Sequence, residues 1–399
     1  MQLEFSDKLE LLGGDAANDL ACQSCAANPN AAVVTHRANQ PLAASEPQTR
    51  PRDLKPWLAY AMRSDGKRIP VVKTLMTSAC EKDCYYCATR RGRNAARRET
   101  FKPEELAAGF NLIQQRGLAQ GLFLSSGVIG GGTRTMEKTI AAADLIRRKY
   151  EFRGYIHLKL MPGAERAAIE RAIQLADRVS VNLEAPNTAR LRKLSGTKHF
   201  TAELLAPLRA ARALMREQPA LARTSMVTQF VVGPAGETDR EIIATAIRLY
   251  QELRLARIYF NAFRPISETP LENHTPTDPL RALRLYQTDF LLRQYGFTLD
   301  ELLFDANGLL PLDTDPKTAY ALAHPEKFPL DVQTAERAEL LRVPGLGPKS
   351  AQRILDLRRT HTFTTIQELK NLGADAERAA RFILLNGKPP ARQLALFSV

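Results

Sequence analysis

The chain has 399 residues, 44% of them hydrophobic and 25% charged, the proportions of an ordinary globular protein, which excludes collagen-like, wholly disordered and membrane-embedded classes. Its 56 lysines and arginines against 43 acids leave a net charge of +13, an excess that suggests a polyanionic partner. No apolar run approaches the roughly 18 residues of a spanning helix, and residues 1–10 hold acids and no apolar block, so a cytoplasmic protein without membrane contact is expected.

Residues 1–68 are rich in Ala, Asn, Gln and Pro and lack clear periodicity, which predicts a loosely built N-terminal extension. Runs of β type then recur at 71–75, 121–125, 155–161, 179–184, 226–232 and 257–263. Between them, residues 103–115, 136–150, 201–216 and 239–253 place apolar side chains at helical spacing. Repeated strand-then-helix units over 69–300 predict an α/β fold, an open (β/α)6 partial TIM barrel, with its chemistry at the C-terminal ends of the strands. Residues 278–295 continue helical. The stretch 301–331 holds Pro311, Pro316, Pro325 and Pro329 and reads as a linker in which proline blocks regular structure. A small all-α unit at 332–387 and a tail at 388–399 complete the chain.

Three of the five cysteines fall in CEKDCYYC, where Cys80, Cys84 and Cys87 follow the first barrel strand at spacings of four and three. So few cysteines, crowded in this way, suit metal ligation in a reducing compartment better than a disulfide scaffold. Zinc in a structural site usually takes four Cys or His ligands, and the next thiols, Cys22 and Cys25, lie 58 and 55 residues before Cys80. Three cysteines can instead hold a [4Fe–4S] cube with one iron open to a non-protein ligand. Zinc or a purely structural cluster is the competing reading.

Near the C-terminus, LLRVPGLGPKSAQRIL has the form of a helix, a turn built on Gly345 and Gly347, and a second helix opened by Pro348. Backbone amides at such a helix start make an anion site, and Lys349 adds charge, so a nucleic-acid phosphate is a natural ligand. This is a helix-hairpin-helix, and LKNLGADAERAARFI repeats it with Gly373 but without the second glycine. The pair resembles the (HhH)2 modules of DNA repair proteins, which contact duplex backbone without reading sequence. Residues 332–399 carry eleven Lys/Arg and six Asp/Glu, a local +5. A second basic run, Arg90, Arg91, Arg93, Arg97 and Arg98, contains no acid; it is either a solvated face or a guide for phosphates.

The cysteine spacing, the aromatic Tyr86 before the third cysteine and the place after the first strand resemble the radical S-adenosylmethionine (SAM) superfamily. That resemblance implies a [4Fe–4S] cluster, SAM chelated to its open iron, a 5′-deoxyadenosyl radical, and an electron donor such as flavodoxin or ferredoxin. It further implies SAM contacts at successive strand ends. Ser125 and Ser126 stand where the superfamily binds the amino group, with Ser in place of the usual Gly-Gly-Glu; a simple strand-to-loop turn is the plainer reading. Lys159 would meet the carboxylate, with His157 on the same face as a structural residue. Asn182 and Glu184 resemble the pair that grips the ribose hydroxyls. Gly233 and Glu237 resemble the adenine-pocket motif, Glu237 also being suited to capping the next helix. Arg264, after the sixth strand, would bind an anion at the mouth.

The whole arrangement, from about Lys8 to Asn386, resembles a bacterial family described as DNA modification/repair radical SAM proteins, distantly related to spore photoproduct lyase. The segments KLELLGGDAANDLACQSC, YIHLKLMPG and DRVSVNLE carry this likeness. It implies an enzyme that binds DNA, duplex or locally melted, and modifies or repairs a nucleotide. RNA modification of the tRNA-thiolating kind and a non-catalytic DNA-binding iron–sulfur protein are the alternatives.

Overall fold

The computed structural model of the chain describes residues 4–16, 57–62 and 67–391. They fall into two compact units, Met1–Glu237 with Thr245–Pro279, and Thr238–Ala244 with Leu280–Val399.

The first unit is built on one seven-stranded sheet in sequential order. Six strands are parallel: β2 (Arg68–Leu75), β3 (Gly121–Ser125), β4 (Tyr155–Lys159), β5 (Arg178–Ser180), β6 (Ser225–Val232) and β7 (Arg257–Ala262). They match the six expected runs and form the open (β/α)6 half-barrel. Each strand is joined to the next by crossover helices, α2 (Pro103–Gln115), α3 (Gly131–Arg148), α4 (Arg166–Leu175), α5 (Thr188–Arg192), α6 (Ala206–Glu217) and α7 (Asp239–Leu253). A π-helical turn, Phe200–Leu205, precedes α6.

Two expectations change here. The N-terminal extension supplies structure: α1 (Phe5–Asp15) buries Leu9 and Leu12, and its buried Lys8 pairs with Glu105 of α2 at 3.0 Å. β1 (Leu58–Met62) adds an antiparallel edge beside β2. The strand expected to run through Glu184 is regular only over Arg178–Ser180; beyond it Glu184, with a left-handed backbone at φ 64°, keeps an isolated parallel bridge to Phe230.

The second unit holds α8 (Pro279–Tyr295), α9 (Pro316–Ala323), α10 (Arg337–Leu340), α11 (Pro348–Leu357), α12 (Ile366–Asn371), α13 (Ala376–Ala379) and a two-stranded pairing of β8 (Leu330–Asp331) with β9 (Ile383–Leu384). Residues 301–331 are therefore not a linker. Pro316 and Pro325 stand at helix starts, where a missing N–H costs nothing, and Asp315 caps α9 by accepting from the amides of Lys317 and Thr318. This stretch packs into the hairpin unit. Ala321 joins Val332, Leu340, Val343, Ile354 and Phe363 in one core, Arg342 binds Glu301 at 2.8 Å, and Arg378 pairs with Asp315.

Candidate active site

The segment after β2 is held as a shaped loop before any metal is considered. Thr77 bridges to Thr100, and Ser78 Oγ donates to the carbonyl of Arg97 at 2.8 Å while accepting from the amide of Glu99 at 2.9 Å. Arg98 donates to the carbonyls of Ser78, Thr89 and Arg90 at 2.6–2.7 Å, and Arg93 donates to those of Ala88 and Ser267. Two members of the basic run thus brace the loop instead of forming a purely solvated face. Asp83 ties the loop to residues 195–197, accepting from Ser195 Oγ at 2.6 Å, Thr197 Oγ1 at 2.7 Å and the amides of Gly196 and Thr197. Burial pushes the Asp83 carboxyl up, but these four donors outweigh it and hold it below the usual carboxylate range.

Cys80, Cys84 and Cys87, all free thiols, line one cavity of about 400 Å³ at the C-terminal ends of the strands. Cys80 Sγ accepts from the amide of Val128 at 3.4 Å, and Cys87 Sγ lies 3.3 Å from Thr89 Oγ1. Gly127 is required behind them, since a Cβ there would stand 2.4 Å from the carbonyl oxygen of Ala79. Glu81 turns the other way and accepts from the amides of Gly130 and Gly131, so a carboxylate occupies the start of α3. Among the described residues no three Cys, His, Asp or Glu side chains close on a point that one ion would fill; a cube asks for thiolates that each meet a separate iron.

Ser125, Ser126, Lys159, Asn182, Glu184 and Arg264 line the same cavity. Glu237 does not: buried, it accepts from the amide of Gly233 and shapes the turn after β6. His157 lies inside the barrel, its Nε2 at 2.9 Å from Ser180 Oγ and its ring against Phe123. Cys22 and Cys25 lie outside the described residues. Three buried atoms of residues that line the cavity, Ser126 Oγ, Asn182 Oδ1 and Glu184 Oε2, have no hydrogen-bond partner among the described residues, a costly state that a polar ligand relieves.

Lys198 escaped the sequence reading. Its side chain is largely buried, 3.6 Å from Glu184 Oε1 and close to the Cys84 thiol. Burial opposes its charge, yet Cys84 and Glu184 outweigh that and raise its pKa above the ordinary lysine value. Burial pushes the Cys84 thiol up, with Lys198 acting against it, and pushes the Tyr86 phenol well up, with Glu184 adding to the shift. No local pattern flags Lys198, because its segment meets the cysteine loop through residues far away in the chain, Asp83 with Ser195 and Thr197 and the Tyr85 amide with the Leu194 carbonyl.

In the second unit, Gly345 (φ +87°) makes the hairpin turn, and a Cβ there would meet the carbonyl of Asp375 at 2.3 Å. The Gly347 amide donates to Ser350 Oγ at 2.8 Å, which leaves the amides at positions 349 and 350 as the first-turn donors, beside the exposed Lys349. In the second hairpin Asp375 already caps α13 through the amide of Arg378, so its helix start carries a carboxylate.

The Radical SAM superfamily matches residues 74–249, and the helix-hairpin-helix motif matches 327–374. Residues 74–249 thus match the domain of the radical SAM superfamily, whose members use a [4Fe–4S] cluster and SAM. No curated protein matches the chain. Among solved structures it is similar to the FeFe-hydrogenase maturase HydG from Carboxydothermus hydrogenoformans, at 15% identity and TM-score 0.45, over 56% of this chain and 51% of that one. It is likewise similar to methylornithine synthase (PylB), at 15% identity and TM-score 0.45, over 56% and 61%. The match thus spans about half to three fifths of those structures. No helix of the described residues is long and apolar enough to cross a membrane.

Proposed function

We propose that this chain is a [4Fe–4S]-dependent radical SAM enzyme that binds DNA through its first hairpin and modifies or repairs a nucleotide. The observation that carries the reading is the shared cavity: three thiols from one braced loop line it together with three buried, unpartnered polar atoms, Ser126 Oγ, Asn182 Oδ1 and Glu184 Oε2. These groups fit the cofactors. Cys80, Cys84 and Cys87 would hold the cluster, and three ligands leave one iron for SAM. When bound, the pair supplies one-electron cleavage of the sulfonium and so radical chemistry. Ser126 offers a hydroxyl to an amine, Asn182 and Glu184 offer acceptors to ribose hydroxyls, and Lys159 and Lys198 supply cations for a carboxylate. Arg264, exposed at the cavity edge, would meet a substrate anion. The amides opening α11 together with Lys349 would take a backbone phosphate.

An electron donor of the flavodoxin or ferredoxin kind and a reducing compartment, the cytoplasm, follow from this chemistry. Reconstituted protein, reduced anaerobically with SAM, should release 5′-deoxyadenosine, and nucleoside mass analysis of added DNA should show a changed base or sugar. Duplex DNA should bind better than structured RNA. A protein with Cys80, Cys84 and Cys87 all replaced by Ala that still cleaved SAM would overturn the assignment.

A further inference from the structure

At the opposite end of the barrel from the cysteines, a second cleft opens between the last turn of α3, the 149–154 loop, α4 and the loop before β6. Its volume is about 490 Å³, and Arg147, Arg148, Arg153, Arg171 and Arg223 line it together with Glu151 and Asp177. The floor is fastened. Arg147 donates to the carbonyls of Leu175, Phe152 and Gly154 at 2.7–2.9 Å and to Asp177 Oδ2 at 2.9 Å. Asp177 Oδ2 in turn accepts from the amide of Ile156 at 2.8 Å. Arg171 and Arg148 share the single carboxylate Asp144, and Arg171 also bonds Gln174.

Two cations remain. Among the described residues neither Arg153 nor Arg223 has a hydrogen bond or ion pair, and both are exposed. They nevertheless stand close enough to Arg147 for their repulsion, after burial, to lower its pKa. Even with Asp144 counted, five arginines face three carboxylates. Like charges gathered on a rigid floor repel unless an anion joins them. Guanidinium forks match the paired oxygens of a phosphate, and fixed forks lose little entropy on binding it.

We propose that this cleft is a phosphate-binding site, with Arg153 and Arg223 as its two gripping residues and Arg147 as its fixed positive floor. The site stands apart from the cluster cavity and does not depend on what is read there. The phosphate belongs either to a polynucleotide backbone or to a small free phosphate compound, and the two probes below tell these apart.

Inorganic pyrophosphate and a short DNA duplex are titrated at low salt into the full chain and into the Arg153→Ala/Arg223→Ala double variant. Both residues are exposed and unpaired, so the variant should keep the native melting midpoint. Pyrophosphate affinity should fall about tenfold or more, the loss expected for charge-assisted contacts. A parallel fall for the duplex assigns the phosphate to a nucleic-acid backbone; a fall for pyrophosphate alone assigns it to a small ligand. If neither probe loses affinity in the folded variant, the site does not exist.

Discussion

Asp83 lies between two candidate cluster ligands, and replacing it separates the shape of the loop from the ligation itself. Asp83→Ala deletes the acceptor for two hydroxyls, Ser195 Oγ at 2.6 Å and Thr197 Oγ1 at 2.7 Å, and for two amides at 3.1 and 3.2 Å. The hydroxyl bonds to a buried carboxylate are worth about 1.5–3 kcal/mol each. The amides add less, because Gly196 is exposed to water and the Thr197 amide keeps Ser195 Oγ at 3.3 Å. Neighbouring bonds are not additive, so the loss is set at about 3–4 kcal/mol. It is local, and hydrogen exchange followed by mass spectrometry reads it. Peptides covering 80–90 and 190–200 should lose protection by about a hundred- to a thousandfold, and iron loading should fall although all three cysteines remain. Asp83→Asn, which keeps an acceptor, should lose about half as much free energy. Protection unchanged within about threefold would refute the anchoring argument.

Lys317 is buried and donates to the carbonyl of Leu346 in the hairpin turn. Burial, reinforced by Arg378, holds its amine well below the ordinary 10.5. With the folded value depressed, the unfolded state binds the extra proton, and stability rises as pH climbs toward 10.5. Lys317→Met should be neutral or stabilising by about 1–2 kcal/mol at pH 7 and should flatten that alkaline rise in thermal melts; an unchanged rise counts against it. Asp315 and Glu301 work in the opposite sense: burial raises both, but Arg378 and Arg342 outweigh it and lower them from 3.8 and 4.5. Their stabilisation is complete above about pH 4.5 and fades as pH falls through the folded values, so the melting midpoint should be flat from pH 7 to 5 and fall below. Arg378→Ala should cost about 1–3 kcal/mol at pH 7 and less in acid, where Asp315 takes up its proton while the bond from Arg378 to Thr318 Oγ1 remains; an equal cost at both would contradict the pairing. Lys349→Ala should weaken duplex DNA binding and reduce the slope of log affinity against log salt by about one, whereas an unchanged slope places the phosphate elsewhere.

The barrel was legible because its strands are bounded apolar runs and its helices carry a 3.6-residue period, both of which survive without tertiary context. The cysteine loop was legible from spacing. What escaped depends on position within an element or on distant chain segments. Asp315 followed by Pro316 is a helix start, but four prolines counted together read as a block. Helix α1 is short and lies in polar surroundings, and it is stabilised by Lys8 reaching Glu105, a partner 97 residues away. Arg98 looked like one charge in a basic run, while its guanidinium binds three carbonyls of the loop it follows. Lys198 carries no motif, and the contacts that bring its segment to the cavity, from Asp83 and the Tyr85 amide, come from more than 100 residues earlier in the chain.

Electron paramagnetic resonance of anaerobically reconstituted, reduced protein, recorded with and without SAM, bears most directly on the three-thiol cavity. A reduced [4Fe–4S] signal whose g values shift when SAM is added, and which vanishes in Cys84→Ala, is the expected result. Bound zinc in place of iron, or a cube whose spectrum ignores SAM, would contradict the account.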